Sequence, residues 1–220
     1  MSAPLYEHLL AYSKQNRISF AMPGHKNGRG LKKDLLSLDV TELSATENLI
    51  HPGEDNLVKL VDCARVAAYG ANVQPLKFMI VNDSETLQKI YPMTKWAGYL
   101  TDGAPKENER PMAYIAVLGD SSIKSNKMYE VEAGAAVTTM MLEAVEMGLG
   151  TCWLGAIQRD EIKKLLKLDE NLDVVYLLAV GYPKQESKIV DMKDNDVKYY
   201  EDENGVINVP KRSLEEILIK

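Results

Sequence analysis

GLGTCWLGA, residues 148–156, joins a long apolar segment to a short run of β-forming residues in this 220-residue chain. The segment before it, from Tyr129 to Met147, is apolar at most positions, and four glutamates and two threonines interrupt it. A helix that is apolar on almost every side is buried, either inside one domain or against a second copy of that domain. Gly148 and Gly150 end this helix, because glycine adopts the left-handed conformation found at helix C-termini.

The second half of the same stretch predicts a strand followed by an open backbone. Thr151 to Leu154 is a short β-type run, and Gly155 follows it directly. A glycine after a strand allows a flat ligand to lie against bare backbone amides. A polar helix over Arg159–Leu166 completes the segment.

Apolar periodicity and turn residues predict the remaining elements of the body. Two further helices are expected, and the second contains Pro92, which kinks or splits it. The strands Met112–Leu118 and Val174–Val180 are apolar throughout, as strands covered on both faces are. The other predicted elements are the helices Asn56–Tyr69 and Glu85–Tyr99, the strand Phe78–Val81, an extended polar segment from Lys184, and a turn at Asn204-Gly205.

Bulk composition excludes several classes of protein. The apolar fraction of 45% and the charged fraction of 26% are those of a soluble globular protein. A net charge of -6 argues against binding to nucleic acid or to an anionic membrane, and no apolar run is long enough to span a bilayer. The N-terminus lacks the form of a secretory signal, so a cytoplasmic protein is expected. Cys63 and Cys152 are interpreted as reduced, buried thiols, and the three histidines form no metal-binding pattern.

The stretch at 148–156 resembles the segment of the nitroreductase family that lies along the edge of the flavin, and the likeness extends over roughly residues 55 to 220. This resemblance implies an α+β, FMN-dependent nitroreductase-like fold. In that fold a central mixed, mostly antiparallel sheet is flanked by helices, and one long central helix is buried. It also implies that the backbone near Leu154 and Gly155 faces the reactive isoalloxazine nitrogen.

Two other segments carry the same resemblance. An Asn-x-Gln-Pro turn in the family reaches the pyrimidine and ribityl groups, and Asn72 and Gln74 match it here. Near the C-terminus a basic pair reaches the flavin phosphate in the family, and Lys211 and Arg212 match that pair. Lys77 is the candidate for a positive group near the pyrimidine. The alternative readings are structural: Asn72 caps a turn, Gln74 is solvated, and the basic pair is a solvated approach to a helix N-cap at Ser213.

One family feature is missing. Nitroreductases commonly begin with an Arg-Arg-Ser-x-Arg stretch that contacts the phosphate, and nothing before Asn56 matches it at the expected distance. Either FMN is held less tightly than in relatives, or the N-terminal segment supplies substitutes. The candidates for substitution are Arg17, His25, Lys26 and Arg29.

The first 52 residues resemble a different family, the N-terminus of ornithine, lysine and arginine decarboxylases. The likeness runs through four short runs: PLY at 4–6, RISF at 17–20, MPGHK at 22–26 and DVTEL at 39–43. We therefore divide the chain into a decarboxylase-like segment, 1–52, and a nitroreductase-like domain, 53–220. Decarboxylase activity is not transferred, because nothing after residue 55 resembles the rest of that family.

Three functional hypotheses follow. The first is an FMN-dependent NAD(P)H oxidoreductase that transfers hydride to a small-molecule acceptor in a ping-pong cycle and works as a homodimer with the flavin at the subunit interface. The second is a binding or sensing protein of the same fold with weak or lost flavin binding. The third is a decarboxylase-related regulatory or pyridoxal-phosphate-binding module, supported only by residues 1–52.

Overall fold

The computed structural model describes residues 50–220. The decarboxylase-like segment therefore lies outside the described residues except for its last three positions. The candidate phosphate substitutes Arg17, His25, Lys26 and Arg29 also lie outside them.

Within 50–220 the chain alternates helices with strands and closes on a second, smaller set of strands. The elements are α1 (Glu54–Arg65), β1 (Leu76–Val81), α2 (Ser84–Ile90), β2 (Ala113–Asp120), α3 (Glu130–Glu146), β3 (Gly150–Leu154), α4 (Arg159–Leu165), β4 (Leu172–Gly181), β5 (Ser187–Asp191), β6 (Tyr200–Glu201), β7 (Ile207–Lys211) and α5 (Leu214–Ile217). Short 3₁₀ turns lie at Gly70–Asn72, Tyr91–Met93 and Glu107–Glu109.

The main sheet has four strands in the order β1-β2-β4-β3, and every neighbouring pair in it is antiparallel. A β-bulge interrupts the β2–β4 ladder, where Val117 pairs with Tyr176 and Leu118 pairs with Val174, so that Val175 has no partner opposite it. The second sheet has the order β5-β7-β6, and its β5–β7 pair is parallel. The expected α+β fold with a mostly antiparallel central sheet is confirmed, but the parallel pair described in residues 50–220 lies in the second sheet, so the central sheet itself is not mixed.

Helices cover both faces of the main sheet. Because side chains alternate along a strand, neighbouring residues of β4 reach opposite cores: Leu178 packs in the layer with α1 and α3, and Leu177 packs in the layer with α2 and α4. Such double coverage explains why β2 is buried at every position. The two apolar runs of the sequence are therefore strands covered on both faces, as expected.

The central helix α3 has two apolar faces. One face is buried against the sheet through Ala133, Ala136, Val137, Met140, Met141 and Ala144. The other face carries Val131, which is 85% exposed, and Leu142, which is 37% exposed. The prediction of burial thus holds for one side of α3 within a single chain, and the other side is open for a second surface. Among residues 50–220 no helix combines the length and apolarity that a membrane crossing requires.

Several sequence-based boundaries are wrong. The helix expected over Glu85–Tyr99 ends at Ile90, and Pro92 lies in the 3₁₀ turn that follows, because proline cannot continue the hydrogen-bonding pattern. The first helix, α1, ends at Arg65 rather than Tyr69. Cys152 is buried as expected, and burial raises the pKa of its thiol to about 12, but Cys63 is only half-buried.

Gly119 allows the closest approach in the core. A Cβ atom at this position would lie 2.2 Å from the Cδ2 and Cε2 atoms of Tyr129, whose side chain is buried against the sheet just before α3 begins. Gly119 therefore sets how closely the N-terminus of α3 approaches β2.

We predict that Gly119→Ala destabilises the protein by about 1–3 kcal/mol or more, because the added methyl group must displace a buried ring. Urea unfolding followed by circular dichroism measures the change. Gly98→Ala is the matched control, since a Cβ there meets nothing within 4 Å. Equal stability of the two variants would show that Tyr129 does not pack on Gly119.

Candidate functional site

The turn before β1 has an unusual backbone. Ala71, Asn72 and Gln74 have φ values of 47°, 54° and 53°, which lie in the left-handed region that residues other than glycine seldom occupy. Two backbone hydrogen bonds hold it, from Asn72 N to Tyr69 O at 3.0 Å and from Val73 N to Gly70 O at 3.1 Å. Strained conformations of this kind concentrate at ligand-binding sites.

The two amide side chains of this turn are exposed. Gln74 Nε2 donates to the carbonyl of Asn72 at 3.2 Å, while the Asn72 carboxamide forms no hydrogen bond to the residues that the structure describes. The turn therefore presents a donor and an acceptor that a ligand can use. Tyr69 takes no part in this surface, because its hydroxyl donates back to the Ala64 carbonyl of α1 at 2.9 Å.

A buried carboxylate lies beneath the turn. Glu132 of α3 is 5% exposed, and its Oε1 accepts from Lys124 Nζ at 2.8 Å. A Cβ at Gly70 would lie 3.4 Å from the same Oε1, so the carboxylate touches the backbone of the turn. The Lys124 hydrogen bond holds the pKa of Glu132 below its usual range. Glu132 thus links the N-terminus of α3 to the Asn72 turn.

The second part of the candidate site is the end of β3. The Leu154 side chain is buried in the layer with α2 and α4, whereas Gly155 is exposed, so only the backbone of this pair is open to a ligand. A Cβ at Gly155 would lie 3.5 Å from Cε1 of Tyr176, and the Tyr176 ring meets Trp153 edge-on with centroids 5.0 Å apart. An aromatic wall therefore stands beside the bare backbone.

The antiparallel order brings the two parts to the same end of the sheet. β1 starts at this end and β3 finishes towards it, with β2 and β4 between them, a lateral separation of about 14 Å for three strand spacings. The N-terminal turn of α3 approaches both parts, because a Cβ at Gly134 would lie 3.6 Å from Trp153 Cη2 while Glu132 touches Gly70. The structure thus places Asn72, Gln74 and Gly155 around one helix end without direct contact between them.

The predicted basic residues are divided between the two sheets. Lys77 is exposed at the second position of β1, near Asp120, whose pKa is lowered mainly by hydrogen bonds from Ser122 and Asn171 and to a smaller extent by Lys77. Lys211 ends β7 in the second sheet, and Arg212 follows it. Arg212 Nη1 donates to Asn195 Oδ1 at 3.1 Å and lies 3.5 Å from Glu216 Oε1.

A cavity of about 310 Å³ lies elsewhere, between the loop at 100–109 and the segment at 184–205. Its charged lining residues carry both signs, and none of the seven predicted site residues lines it. The cavity therefore does not mark the predicted site.

Sequence reasoning missed three residues of this region: Glu132, Tyr176 and Arg159. Tyr176 gave a weak signal as the one aromatic in the apolar run at 174–180. Glu132 and Arg159 gave none, because a glutamate or an arginine in the first turn of a helix has the appearance of a surface residue.

Comparison with known proteins bears on the same region. The model described as "Nitroreductase family" matches residues 52–182, a range that includes both the Asn72 turn and Gly155. A protein of Archaeoglobus fulgidus, provisionally named as an NADH dehydrogenase/NAD(P)H nitroreductase, is 27% identical over 147 residues, which cover 64% of this chain and 80% of the relative.

Solved structures show the same fold. A provisionally named NADH dehydrogenase/NAD(P)H nitroreductase from Parabacteroides distasonis superposes with a TM-score of 0.60 at 20% identity, covering 79% of this chain and 98% of that one. An FMN-dependent nitroreductase from Clostridium difficile gives 0.58 at 20% identity, covering 78% and 99%.

The decarboxylase likeness is a partial match. An arginine decarboxylase from Bacillus anthracis is 31% identical over 77 residues, which cover 31% of this chain and only 15% of that enzyme. So small a share of the enzyme carries no activity over to this chain.

We predict that Glu132→Gln lowers the free energy of unfolding at pH 7 by about 1–3 kcal/mol, because it removes a charged hydrogen-bond partner of Lys124. The lowered pKa of Glu132 means that its contribution is present above the ordinary carboxyl pKa of about 4.3 and is lost as the pH falls through the lowered value. The difference in the free energy of unfolding between the variant and wild type should therefore become smaller below about pH 4.

Denaturant unfolding at pH 7 and below about pH 4 measures the difference in the free energy of unfolding between the variant and wild type. The control is Glu130→Gln, an exposed change in the same helical turn. A gap that stays constant with pH, or that Glu130→Gln reproduces, contradicts the role given to Glu132.

Proposed function

The chain belongs to the nitroreductase family, and we propose that it is an FMN-dependent NAD(P)H oxidoreductase that passes hydride equivalents to a small-molecule acceptor in a ping-pong cycle. The observation that carries this proposal is the position of the family match. It spans both the amide turn at 70–75 and the open backbone at Gly155, which the sheet order brings to one end. Both cysteines are free, which suits a reducing compartment, and we propose the cytoplasm.

The donor set at this end of the sheet fits FMN. The Asn72 and Gln74 carboxamides supply the donors and acceptors that suit the alternating N–H and C=O edge of the pyrimidine. The backbone at Leu154 and Gly155 would lie along the reactive edge, and Lys77 would supply positive charge near the pyrimidine. FMN, when bound, accepts reducing equivalents from NAD(P)H and delivers them to the acceptor.

The task of this chain is accordingly orientation. The left-handed φ values of Ala71, Asn72 and Gln74 set the direction of the turn backbone, and the two exposed amide side chains would be ordered on binding. Tyr176 and Trp153 form an aromatic wall beside the exposed Gly155 backbone. No side-chain acid or nucleophile of this chain is needed for such a role.

The flavin phosphate would be bound at the end of β7. Lys211 and Arg212 are the proposed contacts, yet Arg212 already bonds Asn195 and Glu216 within its own segment. Both of these contacts use Nη1, so a phosphate would compete with an amide and a carboxylate for that nitrogen. This favours the second candidate function, a protein of the same fold with weak or lost flavin binding that acts as a binding or sensing module.

We also propose a homodimer. The open stripe of α3 consists of residues at helical spacing, namely Val131, Ala135, Thr138 and Leu142. The C-terminal helix adds exposed apolar side chains, with Leu214 at 64% and Ile217 at 62%. Exposed apolar side chains on one helix face, as on α3, are typical of subunit interfaces.

We predict that the purified protein binds added FMN and that NADH or NADPH bleaches the flavin absorbance under anaerobic conditions. Gln74→Ala should weaken FMN binding about tenfold, since it removes one amide contact worth about 1.4 kcal/mol. Gln88→Ala, an exposed change on α2, is the control.

Fluorescence titration measures the affinity, and extensive dialysis tests retention. Bound flavin that NAD(P)H leaves oxidised would favour the sensing function. The absence of any flavin binding would refute the oxidoreductase and leave the sensing module in its form with lost flavin binding.

We predict that Val131→Lys converts the dimer to a monomer in light scattering coupled to size exclusion, because it places a charge in an apolar interface. Val197→Lys is the matched control, a half-exposed valine outside α3. A wild-type protein that is monomeric at all concentrations contradicts the interface.

A further inference from the structure

Arg159, the first residue of α4, joins two carbonyl groups at the end of β3. Its Nη2 donates to Gly155 O at 3.0 Å, and its Nε and Nη2 donate to Val175 O at 3.2 and 3.0 Å. One guanidinium therefore connects the open glycine to the strand beside it.

The Val175 carbonyl belongs to the bulged residue of β4. Because Val175 has no partner opposite it in the β2–β4 ladder, the bulge leaves the backbone there without regular pairing. The planar fork of arginine supplies two donors to this carbonyl and extends to a second one. A lysine ammonium lacks the fixed fork and cannot reproduce this arrangement.

The peptide between Gly155 and Ala156 is thereby fixed in orientation. The Gly155 carbonyl also accepts from Ile157 N at 3.1 Å, and the Ala156 carbonyl accepts from Lys95 N at 3.0 Å. In a planar trans peptide, the N–H points opposite to the C=O. Holding the Gly155 carbonyl towards Arg159 therefore directs the Ala156 N–H away from it.

We propose that Arg159 is a positioning residue that sets the Gly155–Ala156 peptide against the reactive edge of the flavin, an inference that rests on the proposed function. Arg159 acts through the backbone and contributes no reacting atom. Its fork geometry, rather than its charge alone, is what the site uses.

Two variants separate geometry from charge. Arg159→Ala removes both, and Arg159→Lys keeps the charge but loses the fork. Lys164→Ala is the control, because Lys164 lies on the same helix and its side chain forms an exposed ion pair with Glu161. Thermal unfolding confirms that each variant is folded, and Arg159→Lys serves alone if Arg159→Ala is insoluble.

The first measurement is amide hydrogen exchange in the flavin-free protein. Exchange in the segment 150–158 should accelerate at least tenfold in both Arg159 variants and stay unchanged in Lys164→Ala. Unchanged exchange in the Arg159 variants overturns the inference whether or not the protein binds FMN.

The second measurement is the midpoint potential of bound FMN. Both Arg159 variants should change the ratio of the affinities for reduced and oxidised FMN by about tenfold, a shift of about 30 mV in the two-electron potential. A wild-type potential in Arg159→Lys shows that charge alone suffices and overturns the positioning role. A wild-type protein that binds no FMN refutes the proposed function. The exchange data then decide separately whether Arg159 holds the Gly155–Ala156 peptide.

Discussion

The packing of α3 against the four-stranded sheet is the constraint on which the rest of the structure depends. Its buried face is built largely from alanines, which allow the helix axis to approach the strands closely, with Val137 and Met140 filling the space between them. Each large apolar side chain buried in this layer contributes about 1.5–3 kcal/mol. A displacement of α3 would expose several of them at once, so the helix is a rigid reference within the described part of the chain.

Both parts of the candidate site lie close to residues near the N-terminus of α3. Glu132, in the first turn of α3, touches the backbone of the Asn72 turn, and Gly134, half a turn later, faces Trp153. The chain leaves the far end of α3 at Gly148, whose φ of 70° allows a reversal, and β3 then runs back along the helix. Gly155 thus returns towards the helix end where the Asn72 turn lies, although 83 residues separate them in sequence.

Sequence patterns predicted the elements that depend on apolar periodicity or on local turn residues. The strands β2 and β4 were predicted from continuous apolar runs, which arise because helices cover both faces of these strands. The helix α3 was predicted because apolar residues occur on more than one of its faces. The second sheet was missed as a sheet: the segment from Lys184 was expected to be extended, but the parallel pairing of β5 with β7 depends on a contact across about twenty residues that no periodicity encodes. The same limit applies to the site. The family resemblance singled out Asn72 and Gln74, the glycine after a strand singled out Gly155, and all three stay predictions. The contacts of Glu132 and Arg159 arise only when distant backbone groups meet them.

The proposed site would consist mainly of peptide groups. The positions of the Gly155 carbonyl and of the amide turn depend in this chain on strand order, on the bulge at Val175 and on α3. Side chains elsewhere are free to change, which agrees with fold similarity at 20% identity and a TM-score of 0.60. Phosphate recognition is different, because it depends on individual arginines and lysines rather than on the fold. Under the proposed function, backbone groups that the fold positions would hold the ring, and individual side chains that can change independently of the fold would hold the phosphate.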